Sequence, residues 1–233
     1  MAIFSISDLH LSFRCDKPMD VFGTRWENYE ERMQENWNRI VSPEDLVIIP
    51  GDISWAMYLQ DTLEDFAYID KLNGTKLLLR GNHDYWWTTL NKMEEFVREN
   101  RFSTIHFLKN QAFLWEDIAI CGTRGWTISH DGSSDEDKKI FARERQRILL
   151  SLEDAEKMHP KEIIVAFHYP PIDETVNSPG FMDILSQYGV KECLFGHLHG
   201  NAHHSAPQGM LQGIRMRLVS CDYLNFTPLL IKK

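Results

Sequence analysis

Short apolar runs recur along the chain, each bounded by polar residues, Gly or Pro. They are Ala2–Ser7, Leu46–Pro50, Lys76–Leu79, Ile118–Cys121, Ile163–Phe167, Glu192–Phe195, Met216–Ser220 and Leu229–Ile231. Each has the length of a buried strand. Between them the apolar period changes. Trp26, Tyr29, Met33, Trp37 and Ile40 recur every three or four residues and predict one helix face. Leu59, Leu63, Phe66, Ile69 and Leu72 predict a second helix, and Leu90, Met93 and Val97 a third. Ile148, Leu152, Ala155 and Met158 predict a fourth, and Phe181, Ile184, Leu185 and Tyr188 a fifth. Strands alternating with helices predict an α/β fold in which helices cover sheets. The second half is richer in strands, which predicts a second sheet. Residues 1–233 show no repeat, low-complexity tract or linker and read as one domain. The polar stretch Ser129–Lys139 reads as a surface loop entering the helix around Ile140–Met158. Phe13–Thr24 reads as another long connection, a kind of segment that often carries function.

The polar residues that follow the strands form a pattern of their own. Ile3–Ser7 ends in Asp8-Leu9-His10, and Leu46–Pro50 in Gly51-Asp52. Lys76–Leu79 ends in Arg80-Gly81-Asn82-His83-Asp84, Ile163–Phe167 in His168, and Glu192–Phe195 in Gly196-His197-Leu198-His199-Gly200. In open α/β sheets the carboxyl edge of the strands is where ligands bind. In Asp8-x-His10 and His197-x-His199 the alternation sends both side chains of a pair to the same side of an extended backbone. Two carboxylates, one amide and four imidazoles carry too little negative charge for calcium and too many nitrogens for magnesium alone. They suit two first-row divalent ions with mixed N and O ligands, and Mn²⁺, Fe and Zn²⁺ are all compatible. Two such ions bring about +4 and Asp8 and Asp52 about −2, so the site keeps a positive charge that suits a phosphate ester.

Composition narrows the classes further. The chain has 233 residues, 43% hydrophobic and 25% charged, the balance of an ordinary globular protein. Its 25 Lys and Arg against 34 Asp and Glu give a net charge of −9. That sign argues against a broad basic face for nucleic acid. The four cysteines, Cys15, Cys121, Cys193 and Cys221, form no C-x-x-C, so neither a disulfide framework nor a cysteine zinc knuckle is expected. The N-terminal residues lack a basic segment, and no apolar run is long enough to cross a bilayer. A cytoplasmic protein with no membrane partner is expected.

Taken in order, Asp8-x-His10, Gly51-Asp52, Gly81-Asn82-His83-Asp84, His168 and Gly196-His197-x-His199 resemble the five signature blocks of the calcineurin-like metallophosphoesterase superfamily. Any one block alone reads as ordinary turn or strand-end chemistry. Five in order, each after a strand, do not. The resemblance implies two packed β-sheets flanked by helices, a four-layer sandwich with a dinuclear metal site at the sheet edges. It implies that Asp8, His10 and His199 hold one metal, that Asn82, His168 and His197 hold the other, and that Asp52 bridges them. It implies that His83 protonates the leaving-group oxygen, with Asp84 orienting its imidazole. A metal-bridging hydroxide would then attack phosphorus in line.

The substrate expected from these residues is a small phosphate ester, a phosphodiester before the alternatives. Phosphomonoesterase and protein phosphatase activities belong to the same superfamily, but Asp84 stands where the phosphoprotein phosphatase branch usually has Glu. A nuclease needs a basic track, and Arg143, Arg145 and Arg147 alternate with Glu144 and Gln146. A non-catalytic protein-binding scaffold would have lost ligands that are all present here. Arg80 resembles an Arg that helps hold phosphate in the phosphatase branch, and Arg124 lies in a loop that could face the site. Trp55, Tyr58, Tyr85, Trp86, Trp87 and Trp126 follow the site blocks, either as an aromatic rim or as loop-packing core. His106, His130, His159, His203 and His204 fall outside the blocks and are expected to play ordinary roles.

Overall fold

The structure, a computed structural model, describes residues 1–127, 134–172 and 180–233. One sheet contains Ile3–Ser5 (β1), Leu46–Pro50 (β2), Thr75–Leu79 (β3), Ile105–Phe107 (β4) and, at the far end of the chain, Leu229–Lys232 (β11). Its order is β11-β1-β2-β3-β4, parallel except for β11. The second sheet contains Phe113–Trp115 (β5), Ile118–Thr123 (β6), Glu162–Phe167 (β7), Glu192–Phe195 (β8), Gly209–Leu211 (β9) and Ile214–Leu218 (β10). Its order is β5-β6-β7-β8-β10-β9, with antiparallel edges around a parallel centre. Each parallel centre is connected by crossovers, which carry Tyr29–Ile40 (α1), Leu63–Lys71 (α2) and Leu90–Glu99 (α3) in the first half. Asp135–Lys157 (α4) and Phe181–Gln187 (α5) serve the second.

The strands read as unbroken apolar runs because both of their faces are buried. Leu46, Ile48, Leu77 and Leu79 meet Ile118, Ile120, Ile164, Ala166 and Leu194 between the sheets. Their neighbours in sequence point the other way. Val47, Ile49 and Leu78 join Met33, Trp37, Phe66 and Met93 from the helices. Val165, Phe167, Cys193 and Phe195 join Ile148, Leu152 and Phe181 on the opposite side. The layers are therefore helix, sheet, sheet, helix, as the resemblance implied.

Several expected boundaries move. Trp26 lies in a 3₁₀ turn, Thr24–Trp26, and α1 starts only at Tyr29, because Asn28 adopts a left-handed conformation that breaks the helical path. Ile40 ends α1 partly exposed rather than on the core face. Leu59 belongs to a 3₁₀ turn ahead of α2. Part of the stretch expected to be a loop, Asp135 onward, is helix. The Ser134 hydroxyl accepts the Asp137 N–H at 3.1 Å and the Asp137 carboxylate accepts the Ser134 N–H at 3.0 Å, a capping box followed by an acidic first turn. The rest of that stretch, with His130, lies outside the described residues. The strands β4, β5 and β9 carry no sequence signal, because three residues are too few to show a period. Among the described residues no helix is long and apolar enough to cross a membrane.

Candidate metal centre

Five strand ends deliver the signature residues, and a sixth, that of β10, meets them. Two sheets can build one site because their edges are stitched together. The Ser7 N–H donates to Val219 at 2.8 Å and the Cys221 N–H donates back to Ser7 at 3.0 Å. The turns leaving the strands are tight. Asp8, His10, Asp52 and His197 all have positive φ, between 47° and 71°. For L-residues this costs about 1–2 kcal/mol each. It is held by backbone hydrogen bonds, among them Asp8 N–H to Gly51 at 2.9 Å and His10 N–H to Asp52 at 3.0 Å. Strain of this kind collects at functional sites. Gly81 and Gly196 are obligatory for a different reason: a Cβ on Gly81 would overlap Asp52, and one on Gly196 would overlap Ser7 and Asp8.

Two groups of donor atoms result. Asp8, His10 and His199 place ligand atoms within 4.8 Å of one another, and so do Asp8, Asp52 and His168. His10 Nε2 and His199 Nε2 are 3.3 Å apart, and His199 Nε2 is 3.4 Å from Asp8 Oδ1. Asp52 Oδ2 is 3.8 Å from His10 Nε2 and 3.5 Å from His168 Nε2, so it reaches both groups. Its other oxygen accepts the His83 N–H at 2.8 Å. Asn82 Oδ1 lies 2.7 Å from His168 Nε2. His197 is in neither group. Its ring stands 5.1 Å from that of His168 and 4.1 Å from that of Tyr169, and its N–H donates to Asp8.

The electrostatics of this set suit cations. His168 donates its Nδ1–H to Pro50 at 3.0 Å, which turns Nε2 toward Asp52 and Asn82. Burial pushes the pKa values of His10 and His168 down to about 3, so both rings are neutral, with lone pairs available to a metal. Burial, then the nearby Asp8 and Asp84 carboxylates, push Asp52 well above the usual carboxylate range. Burial alone would lower His199, but Asp8 and Asp222 raise it to about 10. A proton on His199 thus balances the carboxylates, and a divalent ion would displace it. Asp8, His10, Asp52, Asn82, His168 and His199 fit such an ion, with His197 adjoining.

The remaining expected site residues divide. The His83 ring is half-buried beside the donor groups, 4.3 Å from Trp55, with Nε2 4.0 Å from Asp52 Oδ2. Asp84 does not orient it. The buried Asp84 carboxylate accepts the N–H groups of Gly81, Asp52, Ile53 and Ser54 at 2.7–3.3 Å, and Trp86 Nε1–H at 3.0 Å. With every approach filled by loop donors, Asp84 ties the β2 and β3 turns together, and His83 Nδ1 has no partner among the described residues. Trp86 and Trp87 are core, while Trp55 stacks on His10 at 5.0 Å. Trp126 packs on Tyr169 at 5.0 Å under the Arg124 guanidinium. Arg80 and Arg124 line a pocket apart from the donor groups. A larger cavity of about 1050 Å³ opens over His10, His83 and His199, walled by Trp26, Trp55, His203, His204 and Tyr223.

Asp222 went unread in the sequence. It follows β10 with no motif around it, and only its place after a sixth apolar run could have pointed to it. Its carboxylate lies 2.9 Å from His199 Nδ1, 3.2 Å from His203 Nε2 and accepts the Gly200 N–H at 3.1 Å. The carboxylate fixes which His199 nitrogen faces Asp8. Asp222→Asn is expected to weaken metal affinity by about 10–100-fold with little change in thermal stability. Metal titration of the purified variant checks this, and an unchanged affinity would leave Asp222 a structural residue only.

The family model described as calcineurin-like phosphoesterase matches residues 1–201, and the chain belongs to that family of metal-dependent hydrolases of phosphate esters. Comparison with curated proteins gives no match. Among solved structures, the chain is similar to TT1561 of Thermus thermophilus at 12% identity and a TM-score of 0.60, covering 99% of this chain and 97% of that one. It is also similar to the phosphopantetheinyl hydrolase PptH of Mycobacterium tuberculosis, at 14% identity and a TM-score of 0.56, covering 99% and 95%. A protein of unknown function from Aquifex aeolicus, AQ665, aligns at 15% identity and a TM-score of 0.52, covering 98% and 95%. At these identities the likeness is one of fold.

Proposed function

We propose that the chain is a dinuclear metallohydrolase of small phosphodiesters. The observation that carries this reading is Asp52 Oδ2, set 3.8 Å from His10 and 3.5 Å from His168 and so facing both donor groups. Asp8, His10 and His199 would hold one ion, Asn82, His168 and His197 the other, with Asp52 shared. Two divalent ions in these groups would supply Lewis-acid charge to the phosphoryl oxygens and acidify the attacking water. The chain's own residues do the rest. His83, beside the groups but outside them, delivers a proton to the leaving oxygen. Trp26 and Trp55 line the cavity beside His10, and a planar group on the substrate packs against them. The net charge of −9 disfavours a long polyanion.

A substrate panel on metal-loaded protein tests this, with bis(p-nitrophenyl) phosphate, p-nitrophenyl phosphate, single-stranded DNA and a phosphopeptide at fixed salt. The small diester is expected to give the highest kcat/KM. A higher value on DNA or on the phosphopeptide would overturn the assignment.

A further inference from the structure

Separate from the large cavity lies a pocket of about 300 Å³ whose lining is cationic. Four separate segments bring a positive side chain to it. Arg80 follows β3, Lys109 follows β4, Arg124 follows β6, and Arg147 comes from α4. Among the described residues one carboxylate answers them. Buried Glu144 pairs with Arg147 at 2.6 Å, stands 3.7 Å from Arg124, and accepts the Thr123 hydroxyl. Four cations against that carboxylate leave about three uncompensated charges facing one another. Arg80 has no ion pair or hydrogen bond to the described residues, and its Nε and that of Arg124 are buried without a partner. Burial, followed by repulsion from the neighbouring arginines, lowers the pKa of Lys109.

A closed ion network would give each cation a carboxylate, whereas here Arg147 and Arg124 share Glu144, Lys109 donates to the Thr88 carbonyl at 2.6 Å, and Arg80 has no carboxylate among the described residues. Converging arginines with free donors have the geometry and charge of a phosphate site. The pocket also adjoins the candidate metal centre through the chain itself. Arg80 precedes Gly81-Asn82, and the Arg124 carbonyl accepts the N–H groups of His168 and Tyr169 at 3.1 and 2.9 Å.

We propose that this pocket holds a second phosphate of the substrate, so that the preferred ester carries a phosphate beyond the one at the metal centre. The proposal deepens the phosphodiesterase reading and rests on it for the position of the first phosphate. Lys109 and Arg147 are the discriminating side chains, since both lie away from the donor groups that hold the first.

Calorimetric binding of adenosine 5′-monophosphate and adenosine 3′,5′-bisphosphate to the metal-loaded protein tests it without requiring turnover. The bisphosphate is expected to bind about tenfold more tightly, in keeping with added charge-assisted hydrogen bonds. Lys109→Ala and Arg147→Ala should each bring that ratio toward one, and Arg147→Lys should retain part of it. A merely structural role would weaken both nucleotides together and leave the ratio alone. Equal affinities in the parent protein, or a ratio unchanged in both alanine variants, would overturn the proposal. If the substrate panel shows no hydrolysis while the bisphosphate preference holds, the catalytic reading fails and the pocket stands. If small diesters are hydrolysed and the ratio is one, the reverse is true.

Discussion

Asp52→Asn is expected to lower phosphoesterase activity by at least about 10³-fold, the several kcal/mol that charge stabilisation by metal ions supplies. Metal content should fall in both donor groups rather than in one. The effect follows from how Asp52 is held. Oδ1 is committed to the His83 N–H, and Oδ2 is the oxygen that faces His10 and His168. Asn keeps the shape but exchanges one oxygen for an NH₂. If the amide oxygen stays on the His83 N–H, a donor points at two neutral imidazoles where a ligand is needed. If the amide flips, the NH₂ faces a backbone N–H instead. Gly81 lies directly against this side chain, so close that a Cβ there would overlap it. The fold should survive, because the Asp52 N–H bond to Asp84 is untouched. Elemental analysis and turnover of bis(p-nitrophenyl) phosphate check both halves. Full activity at normal metal content would remove the shared ligand from the mechanism, and loss of a single ion would assign Asp52 to one group.

What the sequence could convey depended on how local each feature is. Strands such as Leu46–Pro50 are legible because both faces are buried, so the whole run is apolar. The site blocks are legible because each sits directly after such a run, where the chain must turn. Features assembled from distant segments are not. Asp222 acts on His199 across 23 residues, and nothing in Ser220-Cys221-Asp222 announces it. The cationic pocket draws on four segments whose residues look like ordinary strand-end and helix charges one at a time. Asp84 is a subtler case. Its identity is plain in Gly81-Asn82-His83-Asp84, but its work, accepting N–H groups from the β2 turn, depends on a packing of loops that adjacency in sequence does not reveal. Trp26 fits the helical spacing of α1, yet Asn28 turns the chain and leaves Trp26 against His199 with its ring 6.0 Å away. Left-handed backbone at Asp8, His10, Asp52 and His197 has only a weak compositional signal: Asp and His enter that region more readily than most residues, but none of the four is Gly.

His83→Ala is expected to retain metal in both groups and to lose about 10²–10⁴-fold in rate on alkyl phosphodiesters, the range that general acid catalysis contributes. The side chain and the backbone of this residue do different things, so the substitution separates them. The backbone N–H that fixes Asp52 Oδ1 remains in Ala, and with it the orientation of Oδ2 toward His10 and His168. Only the imidazole is lost, together with its contact on Trp55. Its Nε2 is 4.0 Å from Asp52 Oδ2, close enough to reach an oxygen leaving the phosphorus and outside both donor groups. An alkoxide leaves poorly without a proton, whereas nitrophenolate spreads its charge over the ring and needs little help. The loss should therefore shrink for p-nitrophenyl esters. Burial lowers the His83 pKa, so its proton is lost earlier as pH rises, and the fall in parent rate that accompanies this deprotonation should be absent for alkyl esters in the variant. Equal losses on good and poor leaving groups would mean that His83 positions substrate and transfers no proton. A fall in metal content alongside the rate would instead place its imidazole among the ligands.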